Sequence, residues 1–458
     1  MNTTSINKVG AVKMSATLLL PILVCMVPTT ELFTAQIRMF LAITLAAILA
    51  FAFEQINQTV VSILLPIAYT LFHVADGAVA FSSWTQSVVW MTLGGLMLAD
   101  LANKSGFLQR LALKCIILTG GTYSGIIWGL CIAGAILAVL LAGQGFIPMA
   151  ALAFGICKAL DIMKTREAAG IMLASVLSGV ITTSFTFSTG PVMYASFAGT
   201  KMGLSWIEYF TKQPVGIIFL VVMFIVLERM CRPKTPLNGK AFFEEEYAKL
   251  GKIKREEKLA LFICIALLVF LLTSKFHGID VMWGFAIFPL IAYLPGIGFC
   301  TAEDMRNTNF GMAFFVSACM SIGIVGTSLG IGEMVTTAVT PFIEGKSITF
   351  VLFVIYLLCV GLNLLMTPLA IAAAFSLPFS QIMLSLGVNP DAFFLFETVA
   401  IDQIFFPYEY IIYLVVFSFG AMRMNDFIRV MTVKVFIATA YLFLVLLPFW
   451  KFTGFLYA

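Results

Sequence analysis

The sequence predicts an all-α integral membrane protein: about eleven transmembrane helices and two re-entrant helical hairpins, arranged as an inverted repeat. Three observations lead there. The first is composition. The chain of 458 residues is 61% hydrophobic and 11% charged, with a mean hydropathy of +1.04, whereas soluble domains carry ~25% charged residues. The second is a pair of stretches, 115–157 and 347–390, that run 43 and 44 residues without a charged side chain. One crossing needs only ~20 apolar residues, because the hydrocarbon core is ~30 Å thick. Each stretch is too long for one helix and has no charged stop, so each is predicted to turn back inside the membrane. Non-helical backbone survives at that depth only when buried in protein or lining a cavity. The third is the placement of basic residues in four groups: Lys104, Arg110 and Lys114; Lys158, Lys164 and Arg166; the run from Arg232 to Lys258; and Arg423 with Arg429. Short basic loops stay cytoplasmic, and all four groups share one side only if both charge-free stretches enter and leave on the same face.

Taken in order, the predicted spans are 15–33, 37–53, 57–73, 85–103, the first re-entrant pair 122–160, then 170–198 and 213–231. A polar linker, 232–258, divides the halves. The second half gives 259–274, 281–298, 309–331, the re-entrant pair 347–387, then 393–418 and 430–450. Lys8 and Lys13 precede an apolar segment with no clear cleavage site, so this segment reads as the first helix, with a cytoplasmic N-terminus. The domain reading is 1–114 and 259–335 as two sets of plain spanning helices, 115–231 and 336–458 as two halves that each hold a re-entrant hairpin and a broken helix, and 232–258 as a cytoplasmic linker. Gly94, Gly95, Gly323, Gly326 and Gly330 read as close-packing positions.

Several function classes find no support. The nine cysteines are scattered without CxxC spacing, and the two histidines lie at predicted helix ends. Neither a metal set nor a nucleophile with its base is visible, so an enzyme and a bound cofactor are not expected. The net charge of +4 reports topology and not nucleic-acid binding. The expected partner at this stage is the bilayer.

Polar groups at membrane depth are expensive and mark function. The span 170–198 holds Thr182, Thr183, Ser184, Ser188 and Thr189 ahead of Gly190-Pro191. Proline removes a backbone donor and interrupts the helix. Hydroxyls and freed carbonyls suit Na⁺, and freed amides suit a carboxylate; the alternative is that the hydroxyls bond back to their own helix. Its counterpart, 393–418, carries Glu397, Asp402 and Glu409. At the hairpin tips lie Gly143, Gln144, Gly145 and Pro148, and then Asn363, Thr367 and Pro368. The candidate substrate contacts are therefore Gly143, Gln144, Asn363, Thr367, Pro368, Thr189, Gly190 and Pro191. The candidate coupling-ion residues are Thr183, Ser188, Asp402 and Glu409, with Na⁺ or H⁺ as the ion.

The chain resembles the divalent anion/sodium symporters, the di- and tricarboxylate carriers. Thr92-Leu-Gly-Gly-Leu-Met-Leu-Ala-Asp-Leu-Ala-Asn-Lys-Ser-Gly-Phe-Leu-Gln-Arg-Leu-Ala-Leu113 is similar to that family's "FLGGFLLALALERSGLHRRLAL". Ser188-Thr-Gly-Pro-Val192 is similar to its "GTPPN", Leu384-Ser-Leu-Gly-Val-Asn-Pro390 to "LALGVNP", and 416–429 to "VFGFGYLRMRDFLR". The pieces are collinear over nearly the whole chain. The family's Ser-Asn-Thr triplets, which frame its Na⁺ and carboxylate sites, fall by position on Ala142-Gly143-Gln144 and Thr367-Pro368-Leu369, and both are absent. Glu409 stands beside the second broken-helix motif, where a fixed negative charge opposes a dianion. The resemblance implies a dimeric elevator-type secondary transporter in the inner membrane of a bacterium, moving an organic anion coupled to Na⁺ or H⁺. The lost triplets keep a cation/proton antiporter on a related scaffold as the alternative.

Overall fold

The computed structural model describes residues 8–53, 56–141, 146–234, 237 and 239–457. It is all helical; among the described residues the β pairing is one isolated bridge, Val388 with Tyr457. Tyr123–Leu140, Phe310–Ser328, Pro368–Ser385 and Met424–Thr453 are each long and apolar enough to cross a membrane, and shorter apolar helices accompany them. Their outer faces leave Leu18, Leu64, Leu358 and Phe436 bare, a surface that lipid and not water solvates. The chain is an integral membrane protein.

After three helices at the start (Lys8–Met26, Ala35–Phe53, Gln58–Leu71), one order of elements occurs twice. In the first half it is a long helix Ser87–Ser105, a short helix Phe107–Leu118, a hairpin of Tyr123–Leu140 and Phe146–Ala159, a broken helix of Arg166–Thr182 and Thr189–Phe197, and a closing helix Gly216–Cys231. In the second half it is Phe310–Ser328, Ile331–Ile343, a hairpin of Ile348–Asn363 and Pro368–Ser385, a broken helix of Pro390–Ala400 and Ile411–Ser418, and the closing helix from Met424. The starts of the hairpins and broken helices are fixed by the same device. Thr122 caps the first hairpin and Ser347 the second; Thr165 caps the first broken helix and Asn389 the second. Each side chain accepts from a backbone N–H that the helix leaves unpaired, worth ~1 kcal/mol.

The packing is reciprocal. The first hairpin's second arm lies against Arg166–Thr182 and Ile411–Ser418, where Phe154 and Phe419 stack at 5.2 Å. The second hairpin's second arm lies against Pro390–Ala400 and Thr189–Phe197, and those two half-helices pack on each other. So each hairpin touches one half of each broken helix. Close approach is bought with glycine at two crossings. A Cβ on Gly94 would stand 1.9 Å from the Phe285 carbonyl, and one on Gly323 1.9 Å from that of Phe197. Gly330 does a different job from the packing role expected of it: its φ of +75° turns the chain between Phe310–Ser328 and Ile331–Ile343.

Two further departures from the sequence reading have simple causes. The short helices Phe107–Leu118 and Ile331–Ile343 are not separate predicted spans, because each is too short to cross a membrane. The linker is also structured. It holds a helix, Lys240–Lys249, whose Phe243 is fully buried. Arg110 ties this segment to the body, donating to the Leu250 and Gly251 carbonyls at 3.2 and 3.1 Å and forming a buried ion pair with Glu257. This hydrogen-bonded pairing holds the Glu257 carboxyl below its ordinary value.

Candidate functional site

The two interruptions are built differently. In the first, helix Arg166–Thr182 ends and a turn runs to Thr189. The break lies upstream of Gly190-Pro191, which instead begin the second half-helix; there the N–H that proline lacks would be unpaired anyway. The hydroxyls bond back to their own segment. Thr183 donates to the Val180 carbonyl at 2.7 Å, Ser184 to Ile181 at 2.6 Å, Thr186 to Thr182 at 2.8 Å and Ser188 to Thr183 at 3.3 Å. Thr189, Ser188 and Pro191 are buried, and Gly190 sits beside the Tyr194 hydroxyl, 3.5 Å from where its Cβ would stand.

The second interruption is longer, from Ile401 to Tyr410, with one short turn at Pro407–Glu409. Its partners come from elsewhere in the chain. Asn363, fully buried at the end of the second hairpin's first arm, donates from Nδ2 to the carbonyls of Ile401 at 2.9 Å and Gln403 at 3.3 Å. The hairpin tip is thus clamped to the unwound strand. Thr367 and Pro368 open the second arm, Thr367 accepting from the Ala370 N–H at 3.4 Å. Gly143 and Gln144, at the first tip, lie outside the described residues.

The acidic residues fall in or next to this segment. Asp402 pairs with Lys434 of the closing helix: the ammonium donates to Asp402 Oδ2 at 2.5 Å and also to the Asp402 carbonyl. Glu409 accepts from the Phe405 N–H at 2.9 Å and the Phe406 N–H at 3.2 Å, so it caps the unwound strand from below. Glu397, one turn before the break, accepts from the Ser376 hydroxyl at 2.8 Å. Glu397, Gln403, Glu409 and Lys434 are all essentially inaccessible. Among the described residues, Asn363 Oδ1, Glu397 Oε2, Asp402 Oδ1, Gln403 Oε1 and the Tyr413 hydroxyl have no hydrogen-bond partner. Tyr194 of the first broken helix lies within electrostatic reach of Glu397, Asp402 and Tyr410.

Of the sequence candidates, the structure therefore brings together Asn363, Asp402 and Glu409, with Gly190 nearby through Tyr194. Thr183 and Ser188 stay within their own turn. Lys434, Ser376 and Gln403 are the members that the sequence reading missed. Lys434 had a usable signal: a lone ammonium inside the predicted span 430–450, which at membrane depth requires a partner. The arrangement is an acidic, oxygen-rich cluster in the protein interior with one ammonium among its described residues. Chemically it suits binding or exchanging a cation, and it accepts an anion only once its own charge is offset. No group of three or more His, Cys, Asp or Glu side chains among the described residues has the spacing to hold a metal ion.

The family model of the citrate transporters matches residues 48–400, most of the chain, and ends just before the unwound segment that carries Asp402 and Glu409. Comparison with curated protein sequences gives no match. Among solved structures, the crystal structure of the Alcanivorax borkumensis YdaH transporter, described as having an unusual topology, is similar to this chain with a TM-score of 0.50. The two are 12% identical, over 97% of this chain and 98% of that one. A likeness at that identity carries the fold alone.

Proposed function

The chain belongs to the citrate transporter family, and from that premise we propose that it is a cation-coupled secondary transporter of a citrate-like di- or tricarboxylate. Family and fold together make it a membrane transport protein for an anion and not an enzyme. In the proposed architecture, eleven helices cross the membrane and the two hairpins are re-entrant, in an inverted repeat. Residues 115–231 and 336–458 form the transport halves, 1–114 and 259–335 the scaffold. The reciprocal packing of each hairpin against one half of each broken helix supports the inversion. So does the Asn363 clamp, since a hairpin whose tip bonds the middle of a broken helix reaches only to mid-depth. By resemblance, two copies associate through their scaffolds, and the transport halves move as an elevator in an inner membrane with the N-terminus in the cytoplasm.

One observation carries the coupling: part-buried Asp402 and buried Glu409 lie in the unwound segment to which the second hairpin tip is bonded. Substrate contacts in this reading are Gly143, Gln144, Asn363, Thr367, Pro368, Thr189, Gly190 and Pro191. Coupling-ion contacts are Thr183, Ser188, Asp402 and Glu409. Carboxylates beside an anion site repel the cargo, the more so as water is excluded. A cation, Na⁺ or H⁺, therefore loads first and the anion second, which makes each state bind one ligand better than the other does. The Asp402–Lys434 pair favours a second reading, a cation/proton antiporter in which the carboxylate itself carries the exchanged ion.

The test is uptake of labelled citrate and succinate into proteoliposomes under an inward Na⁺ gradient and, separately, an inward H⁺ gradient. Uptake of either acid driven by either ion is expected. No uptake under both gradients, together with Na⁺/H⁺ exchange across the same vesicles, would replace this reading with the antiporter.

A further inference from the structure

The site has one positive charge among its described residues, and that charge is placed to be exchanged. We propose that Lys434 is the docking group for the cargo's carboxylate, held by Asp402 in the empty carrier and released when the coupling cation takes its place there. This inference rests on the anion-transport reading of the same site.

Three observations carry it. First, carboxyls outnumber ammonium groups among the described residues of the site. Asp402 and Glu409 lie in the unwound segment and Lys434 is the ammonium that faces them, while Glu397, one turn before it, is bonded to the Ser376 hydroxyl. A buried carboxylate stripped of its partner is strongly disfavoured, so Lys434 leaves Asp402 only when another cation arrives. Second, the pair is incompletely bonded. Among the described residues Asp402 Oδ1 has no partner, and neither have Asn363 Oδ1 and Gln403 Oε1 of the clamp beside it. Those oxygens accept and do not donate, so they suit an incoming cation and offer an anion nothing. Third, the ammonium is movable. Lysine carries a point charge on a flexible stem and does not lock into a planar fork as arginine does. Its helix also passes into a π-helical turn, Tyr441–Leu446, within two turns of Lys434, the kind of irregularity that recurs at functional positions. The remaining ionisable neighbours, Tyr194, Tyr410 and Tyr413, supply hydroxyls and no positive charge. An arriving carboxylate therefore finds its one attractive cation in the released Lys434.

The experiment uses the purified full-length chain with Lys434→Met, Asp402→Asn and the double variant. Thermal unfolding is followed without citrate against NaCl (choline chloride as the control) and against pH, and citrate binding is then measured by calorimetry at saturating cation. Lys434→Met removes the competitor, so the cation concentration giving half-maximal stabilisation is expected to fall at least tenfold, while citrate affinity falls at least tenfold. Asp402→Asn frees the ammonium permanently, so citrate should bind with no cation requirement. The double variant, in which neither charge is left buried alone, should fold, gain no stability from NaCl, keep only the acid response that Glu257 and Asp304 give, and bind no citrate. A Lys434→Met midpoint that is unchanged or higher, or an Asp402→Asn carrier that still needs its cation, overturns the proposal, as does a wild-type chain that responds to no cation. If the wild-type chain responds to a cation but binds no citrate, the citrate reading fails while the midpoint shift still decides the role of Lys434.

Discussion

The two broken helices solve one problem in opposite ways. Both expose backbone in the middle of a membrane helix, where an unpaired carbonyl or amide is costly. The first satisfies itself: Thr183, Ser184, Thr186 and Ser188 all bond within their own turn. The second satisfies itself only in part, through Glu409 on the Phe405 and Phe406 amides, and otherwise depends on others. Asn363 from the hairpin tip, Ser376 from the hairpin arm and Lys434 from the closing helix supply its donors. A self-satisfied break keeps its shape whatever its neighbours do. A break held by its neighbours changes when they move, so the second is the one able to report the state of the hairpin to a bound ion.

Asn363→Leu breaks this comparison most severely. It strands the Ile401 and Gln403 carbonyls, each worth ~1–3 kcal/mol when left buried and unpaired. A loss of about 3 kcal/mol in denaturant unfolding is expected, with uptake falling at least a hundredfold. Asn363→Asp keeps the volume, loses the donor and adds charge, so it should be no better. If Asn363→Leu unfolds like the parent chain, the second break does not depend on the hairpin tip, and the contrast between the two breaks is lost.

Next in size is an effect outside both breaks, which has to be subtracted before any acid response is assigned to them. Arg110 holds the Glu257 carboxyl below its ordinary value. A folded-state value below the unfolded one gives stability that is complete above the ordinary carboxyl range, ~4.3, and is lost as pH falls through the folded value. Glu257→Gln should therefore lower the melting temperature at pH 7, costing about 2 kcal/mol for a charged hydrogen bond. It should also flatten the melting curve between pH 5 and 3. Any slope that remains in Glu257→Gln belongs to other carboxylates. Asp304, held down to about 2 by Lys104, is one of these, its contribution being lost progressively from the ordinary carboxyl range down through its folded value.

Glu409→Gln sharpens the comparison further. Glu409 both caps the Phe405 and Phe406 amides and carries charge. Glutamine keeps one acceptor, so the structural cost is about 1 kcal/mol, whereas Glu409→Ala loses both bonds. Coupling predicts that Glu409→Gln also changes the ion or pH dependence of uptake. If that dependence is unchanged while Glu409→Ala is inactive, Glu409 is a cap and only Asp402 remains as the ion's carboxylate.

The same contrast explains what the sequence makes legible. The helical membrane fold and the two interrupted helices follow from local signals, apolar composition and polar residues inside the predicted spans, although the first break falls upstream of Gly190-Pro191. The position of Asp402 and Glu409 in an unwound strand is harder to read, because apolar residues continue on both sides of it. The partners are harder still. Asn363 meets Ile401 across 38 residues and Lys434 meets Asp402 across 32. Contacts at such separations leave no periodic trace in the chain. A complete account of buried charge is the one route to them: Asp402 and Lys434 each need a counter-ion inside the same half, and they are complementary.

The smallest expected effect tests the other side of the comparison. Thr183→Val removes one hydroxyl that bonds to the Val180 carbonyl at 2.7 Å, and Ser188→Ala one that bonds to Thr183 at 3.3 Å. Neither deletion leaves a buried donor unpaired, because the donor itself is removed, and each carbonyl loses a neutral side-chain bond worth ~1 kcal/mol or less. Valine also replaces threonine with nearly the same shape. The double variant should therefore unfold within about 1 kcal/mol of the parent chain, so its transport can be compared with the parent's without correction for folding. If uptake and its ion dependence persist, the hydroxyls serve only their own turn and the coupling ion rests on the second break alone. If uptake is lost while stability holds, Thr183 and Ser188 turn toward a ligand during the cycle. The self-satisfied geometry would then be a resting state that the loaded carrier gives up, and the two breaks would act as a pair.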